Sequence, residues 1–141
     1  MTSPSLHESL SFTAGDVLAG RYRLESLLGA GGFGAVYRAT QLNLERPVAV
    51  KVVLPELVSS TTSLERFLRE AKIAQQLEHP NTVRLYDFGQ TEAGAPFIVM
   101  ELLRGRSLAD ELARGGPLSQ ERVLRMATQV LKALLEAHGR G

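Results

Sequence analysis

The sequence contains no cysteine, few histidines and almost no excess of charge of either sign. Without cysteine the chain can form no disulfide, no thiolate metal site and no cysteine nucleophile. Its three histidines, His7, His79 and His138, lie too far apart for a ligand motif, so no structural metal is expected. Sixteen Lys and Arg against fifteen Asp and Glu give a net charge of +1, spread along the chain, which argues against nucleic acid or a membrane surface as a partner.

Long apolar runs are also missing. The longest covers residues 95–100, far short of the roughly 20 residues that cross a bilayer. Residues 1–15 are rich in Ser and Thr and lack the basic start and apolar block of a secretory signal. We therefore expect a cytoplasmic chain in which residues 1–17 form a flexible leader to a single globular unit.

Short β-favouring runs separated by glycines or polar residues follow the leader. They cover residues 22–28, 35–40, 47–54, 83–88 and 96–102. Tight turns join them, except where a helical pattern over about residues 63–77 intervenes. The pattern predicts five antiparallel strands and one long helix.

Polar residues mark the start of each predicted helix. Thr62 and Glu65 have the spacing of a capping box for the first helix. Ser107 is expected to cap a short helix ending near Gly115, and Ser119 a longer one with a broad apolar face. The chain ends soon after this last helix, and we expect no later segment to cover that face.

Three glycines form a G-x-G-x-x-G pattern at Gly29, Gly31 and Gly34. In dinucleotide-binding folds the third glycine opens a helix, whereas here a strand-like run follows Gly34. The pattern predicts a hairpin whose bare main chain can approach phosphate groups closely. A mobile Gly-rich turn without a ligand is the alternative interpretation.

Lys51 ends the run V-A-V-K, on a strand made otherwise of apolar and small residues. The Gly-rich loop followed by this run resembles the protein kinase family. The Ala-His-Gly end of the last predicted helix, residues 137–139, resembles bacterial Ser/Thr kinases in particular. The resemblance implies that Lys51 holds the α- and β-phosphates of ATP. The alternative is a lysine whose stem packs while its ammonium group reaches water.

Glu70 lies beside the apolar stripe of the first helix, where an unpaired carboxylate would be costly to bury. A cationic partner is therefore expected, and the resemblance assigns Lys51 to that role. The alternative is a solvated Glu70 that pairs weakly with Arg66 four residues earlier.

The resemblance also implies an α+β fold: a kinase small lobe over residues 18–103, with a five-stranded antiparallel sheet and one long helix, and the first two helices of a large lobe over residues 104–141. Met100 occupies the gatekeeper position, and the hinge that would bind adenine follows it. The implied ATP-binding residues are Leu28, Gly29, Ala30, Gly31, Gly32, Phe33, Gly34, Val36, Ala49, Lys51, Met100, Glu101 and Leu103.

Asp87 begins a D-F-G triplet, the motif whose aspartate binds Mg²⁺ in kinases. Its position before the hinge is wrong for that role, so no metal ligand is assigned. The H-R-D catalytic loop is absent from the 141 residues. We therefore expect ATP binding but no phosphoryl transfer by this chain alone, with Mg²⁺ and a protein substrate used by a complete kinase.

Two other functions are consistent with parts of the sequence. A non-catalytic interaction module would bind a partner, or a second copy, through the apolar face of residues 119–138. A dinucleotide-binding oxidoreductase would use the three glycines and the acidic Glu56, but lacks the helix expected after Gly34. An H-R-D loop encoded directly after Gly141 would favour a kinase fragment, whereas a stop there would favour the interaction module.

Overall fold

The computed structural model describes residues 12–58 and 60–140. These residues divide into two compact units. The first comprises the described residues up to Gln76 together with Arg84–Leu102, and the second comprises Leu77–Val83 together with the residues from Leu103 onward. In the described part of the chain no helix is both long and apolar enough to span a membrane.

The first unit contains a six-stranded antiparallel sheet, and all five predicted strands are confirmed. In chain order the strands are β1 (Val17–Leu18), β2 (Tyr22–Gly31), β3 (Gly34–Gln41), β4 (Arg46–Val53), β5 (Leu85–Gln90) and β6 (Pro96–Glu101). Their spatial order is β1-β2-β3-β4-β6-β5. The unit therefore has the predicted α+β character, with one strand more than expected.

The additional strand, β1, lies at the boundary between the predicted leader and the predicted small lobe, with Val17 in the first and Leu18 in the second. Ala19 and Gly20 both have positive φ and fold the chain back, so that Val17 pairs with Arg23 of β2. Just before it, the Phe12 ring meets the Tyr37 ring edge-on at 6.1 Å. A strand this short has no detectable periodicity, so only the turn could have revealed it. Residues 1–11 of the expected leader lie outside the described residues.

Helix α1 (Thr61–Ala74) is the predicted long helix, but its cap differs. Ser60 is the N-cap, and its hydroxyl accepts a hydrogen bond from the Ser63 amide while Ser63 Oγ accepts one from the Ser60 amide. The predicted capping box of Thr62 and Glu65 is wrong, because the earlier serine pair already satisfies the free amides of the first turn. A 3₁₀ turn, Pro55–Val58, precedes the helix.

One face of the sheet carries the hydrophobic core of the first unit. On β4, Val48, Val50 and Val52 are completely buried on this face, as the alternation of a strand requires. The sheet curls so strongly that Tyr22 of β2 donates a hydrogen bond to Asp87 of β5, although three strands separate them. The full core consists of Leu18, Tyr22, Leu24, Ala35, Tyr37, Ala39, Val48, Val50, Val52, Ala95, Phe97 and Val99.

The second unit contains the two further helices at the predicted positions. Helix α2 (Leu108–Gly115) is capped by Ser107, and helix α3 (Gln120–Gly139) by Ser119. The turn at residues 77–83 belongs to this unit, since Asn81 Nδ2 donates to the Gln129 carbonyl on α3 over 3.1 Å. Several apolar side chains of α3 are exposed, among them Leu131 and Leu135 at 61% and 74%.

Candidate functional site

The glycine pattern forms the tip of the β2–β3 hairpin. Strand β2 ends at Gly31 and β3 begins at Gly34, which leaves Gly32 and a largely exposed Phe33 in the turn. Because a strand and not a helix follows Gly34, the dinucleotide-binding interpretation is excluded.

The four glycines of this hairpin have different structural requirements. Gly34 has φ +136°, and a Cβ placed there would lie 2.0 Å from the Val52 carbonyl oxygen on β4. The fold itself therefore requires glycine at this position. At Gly29, Gly31 and Gly32, by contrast, a Cβ would meet nothing within 4 Å. Packing within the described chain does not explain these three glycines.

Lys51 lies in the centre of the sheet, on the face opposite the core. It pairs with Val36 on β3 and Ile98 on β6, and the buried Ala49 precedes it by two residues on the same face. We call Val36, Ala49, Lys51, Ile98 and Met100 the open face. Among the described residues, Lys51 has no ion pair and no hydrogen bond, so its half-buried ammonium group is an unneutralised cation on this face.

The structure does not join Glu70 to Lys51. Glu70 is exposed on α1, and no described residue, including Lys51 and Arg66, forms an ion pair with it. Helix α1 instead buries Ala71 and partly buries Phe67. Glu70 is thus exposed and not buried as expected, and its pairing with Lys51 stays a prediction.

The remaining predicted residues lie at three places. Met100 pairs with Ala49 and is half-buried on the open face, and Glu101 accepts a hydrogen bond from the Arg84 amide over 2.8 Å. Leu28 is an unpaired, exposed bulge residue of β2, and Ala30 pairs with Ala35. Leu103 is 65% exposed and belongs to the second unit.

Asp87 is fully engaged in contacts on the core side of the sheet. Its Oδ2 atom accepts a hydrogen bond from the Tyr22 hydroxyl and forms an ion pair with Arg21 at 2.7 Å. Its Oδ1 atom accepts a hydrogen bond from the Phe88 amide. Burial and the Asp87 carboxylate raise the pKa of Tyr22 to about 12. Within the described residues no group of three or more acidic or histidine side chains could hold a metal ion. Asp87 thus has a structural role that its D-F-G context does not reveal.

A second polar cluster, which we call the Glu25 clamp, consists of Glu25, Arg38 and Thr40. Glu25 is an unpaired bulge residue of β2, because the register passes from Leu24–Ala39 to Ser26–Arg38. Its carboxylate accepts hydrogen bonds from Thr40 Oγ1 and, at 2.9 Å, from Arg38 Nε. The Thr40 hydroxyl and then the Arg38 guanidinium lower the pKa of Glu25. Sequence reasoning missed this cluster, since no periodic signal marks a bulge.

Comparison with known proteins shows extended similarity. Residues 22–141 match the protein kinase domain family. The chain is 48% identical over 127 residues to the Ser/Thr protein kinase pkn3 of Myxococcus xanthus, covering 90% of this chain and 23% of that protein. It is 39% identical to the Ser/Thr protein kinase PknA of Mycobacterium tuberculosis, covering 94% of this chain and 32% of that protein.

A solved structure is similar over the same region. The kinase domain of Mycobacterium tuberculosis PknI matches with a TM-score of 0.82 and 29% identity, covering 94% of this chain and 54% of that one. The chain thus spans about a quarter to a third of the length of these curated relatives and about half of the PknI kinase domain.

Proposed function

We propose, from the premise that this chain belongs to the protein kinase domain family, that it is the ATP-binding part of a Ser/Thr protein kinase. One observation carries the proposal: three glycines that packing does not require lie in the hairpin next to the strand that carries an unneutralised lysine. Both features fit a polyphosphate, which needs close main-chain approach and positive charge.

The hairpin would hold the phosphates through its main chain. With no side chain at Gly29, Gly31 or Gly32, the amides of this segment can approach phosphate oxygens to hydrogen-bond distance. The open Cβ directions leave room for a ligand that the chain itself does not fill. Gly34 contributes differently, because it lets the start of β3 lie close against β4 and so fixes the tip of the hairpin relative to β4.

Lys51 would supply the charge. It lies one strand away from the hairpin, opposite Val36, which follows the glycines. Its partly buried site screens charge less than bulk water does, so its attraction for a phosphate is stronger there than on an exposed surface. No described side chain neutralises it.

The base would lie against the apolar part of the open face. Val36, Ala49 and Met100 lie side by side there, and the backbone of Glu101 and Leu103 would provide hinge hydrogen bonds to adenine. Leu28 would add a further apolar contact. We propose that Glu70 forms an ion pair with Lys51 in the complete kinase. In this structure Glu70 is exposed and forms no ion pair with a described residue.

Transfer of the ATP γ-phosphate to a protein Ser or Thr is proposed for the complete kinase, in the cytoplasm. Mg²⁺ would neutralise the phosphates in that reaction. The described residues do not fit a Mg²⁺ site, because no acidic cluster forms and Asp87 is committed to Tyr22 and Arg21. We therefore propose no catalysis by these 141 residues alone.

Binding of a fluorescent ATP analogue to the purified chain tests the proposed function. We expect saturable binding that unlabelled ATP reverses. Gly31→Ala should weaken it about tenfold, roughly the value of one hydrogen bond to a charged group, because the added Cβ keeps the phosphate from the main chain. The variant should unfold at an unchanged temperature, since its Cβ meets no protein atom within 4 Å. No saturable binding by the folded wild-type chain would contradict the proposal.

The exposed apolar face of α3 supports a second proposal, self-association of the isolated chain. Val130, Leu131 and Leu134 are 43–61% exposed, and burying such side chains gains about 1.5 to 3 kcal/mol each. Sedimentation velocity should show concentration-dependent oligomers that Val130→Glu with Leu131→Glu converts to monomer. A wild-type monomer at every concentration would reject this proposal.

The relatives above are kinases, so they give no support to a non-catalytic interaction module.

A further inference from the structure

The Glu25 clamp borders the open face of the sheet. Arg38 of β3 pairs with Ala49 of β4, which in turn pairs with Met100 of β6. Directly paired residues of neighbouring strands present their side chains on the same face. Arg38, Ala49 and Met100 therefore form one row, and two members of that row belong to the apolar surface proposed to bind the base.

This row places a long cationic side chain beside a very small one. Ala49 has the shortest side chain of the row and is only 6% exposed, so the longer side chains around it determine what can contact it. The Arg38 side chain is long enough to reach across Ala49, since neighbouring strands lie only about 5 Å apart. Its guanidinium group is instead turned toward β2, where Glu25 accepts its Nε–H at 2.9 Å.

The stability of the fold does not account for this arrangement. The Arg38 and Glu25 side chains are 51% and 35% exposed, and ion pairs this exposed contribute little to stability. The carboxylate nevertheless has a fixed orientation, because Thr40 binds its second oxygen. What the clamp determines is the direction of the Arg38 side chain.

We propose that Glu25 is a positioning residue that holds the Arg38 guanidinium off the base-binding surface formed by Ala49 and Met100. The inference rests on the proposed function and adds a residue to it that binds no ligand itself. When Glu25 cannot hold Arg38, the guanidinium covers Ala49 for part of the time and competes with the base.

The test is an NMR-detected titration of the 141-residue chain with adenosine, which presents the base without phosphates that would attract Arg38. If Arg38 covers the site for about four-fifths of the time in Glu25→Gln, the apparent Kd rises about fivefold. Arg38→Ala alone should bind as wild type does. The double variant Glu25→Gln with Arg38→Ala should return to the wild-type Kd, because no guanidinium remains to compete.

The pattern of variants separates positioning from a structural role. If the clamp only stabilised the β2–β3 hairpin, Arg38→Ala and the double variant would bind as weakly as Glu25→Gln, and the inference would be overturned. An unchanged Kd in Glu25→Gln would overturn it too. Thermal unfolding of each variant confirms that the proteins compared are folded.

A parallel ATP titration separates this inference from the proposed function. If ATP binds to the wild-type chain and Lys51→Met loses that binding, an unchanged adenosine Kd in Glu25→Gln rejects only the role of Glu25. If the folded wild-type chain binds neither adenosine nor ATP, the proposed function fails and the inference fails with it.

Discussion

Replacing Lys51 by Met is expected to abolish measurable nucleotide binding. Methionine keeps the unbranched stem of lysine but removes the cation among the five residues that define the open face. A hydrogen bond to a charged group contributes about 1.5 to 3 kcal/mol, so an affinity that is already weak should fall by roughly 10- to 100-fold, below the range that the titration detects. Titration with the fluorescent ATP analogue measures the loss.

The fold should tolerate this change, because Lys51 forms no ion pair or hydrogen bond within the described residues that methionine could break. Lys72→Met is the matched control: it makes the same substitution on the exposed surface of α1 and should bind ATP as wild type does. Wild-type affinity in a folded Lys51→Met protein would show that the lysine is a packing residue with a solvated head group.

Replacing Gly34 by Ala is expected to unfold the chain or nearly so. The new Cβ would lie 2.0 Å from the Val52 carbonyl oxygen, and φ would remain at +136°, a conformation that other residues rarely adopt. The neighbouring atom is backbone in a central strand, so relief requires β3 and β4 to separate. We expect a loss of about 3 kcal/mol or more, against a total stability of about 5 to 15 kcal/mol for a domain.

Urea denaturation followed by circular dichroism measures this effect. Gly32→Ala, two residues away in the same hairpin, is the control and should change the free energy of unfolding by less than about 1 kcal/mol, since its Cβ meets open space. Similar stabilities for the two variants would show that β3 does not approach β4 as closely as described.

The sequence was most informative where one element carries its own signal. The five strands from Tyr22 onward and the three helices could be predicted because alternation, helical spacing and, for α2 and α3, serine caps are local properties. The Gly-rich hairpin and Lys51 could likewise be placed on adjoining strands. The sequence alone could not show that Gly34 is required for packing and that the other three glycines are not. That difference depends on how close β4 lies to Gly34.

Features that depend on the meeting of distant residues were not predictable. Whether Glu70 reaches Lys51 depends on how α1 packs on the sheet, and helical periodicity gives no information on that distance. The contacts of Asp87 with Tyr22 and Arg21 arise only because the sheet curls. Glu25 appears in the sequence as an ordinary strand residue, because a bulge shifts register without changing composition.

The hydrogen bond between Tyr22 and Asp87 has a consequence for the order in which the chain can fold during synthesis. It joins residues 65 positions apart and closes the curl between β2 and the edge strand β5. The first four strands leave the ribosome well before β5 and β6, and contacts of such long sequence separation form late. Until Asp87 emerges, Tyr22 lacks its acceptor and the core face of the early strands stays open. The nascent chain therefore carries an exposed apolar sheet for the time needed to synthesise α1, β5 and β6, which is the interval in which a chaperone would have most to protect.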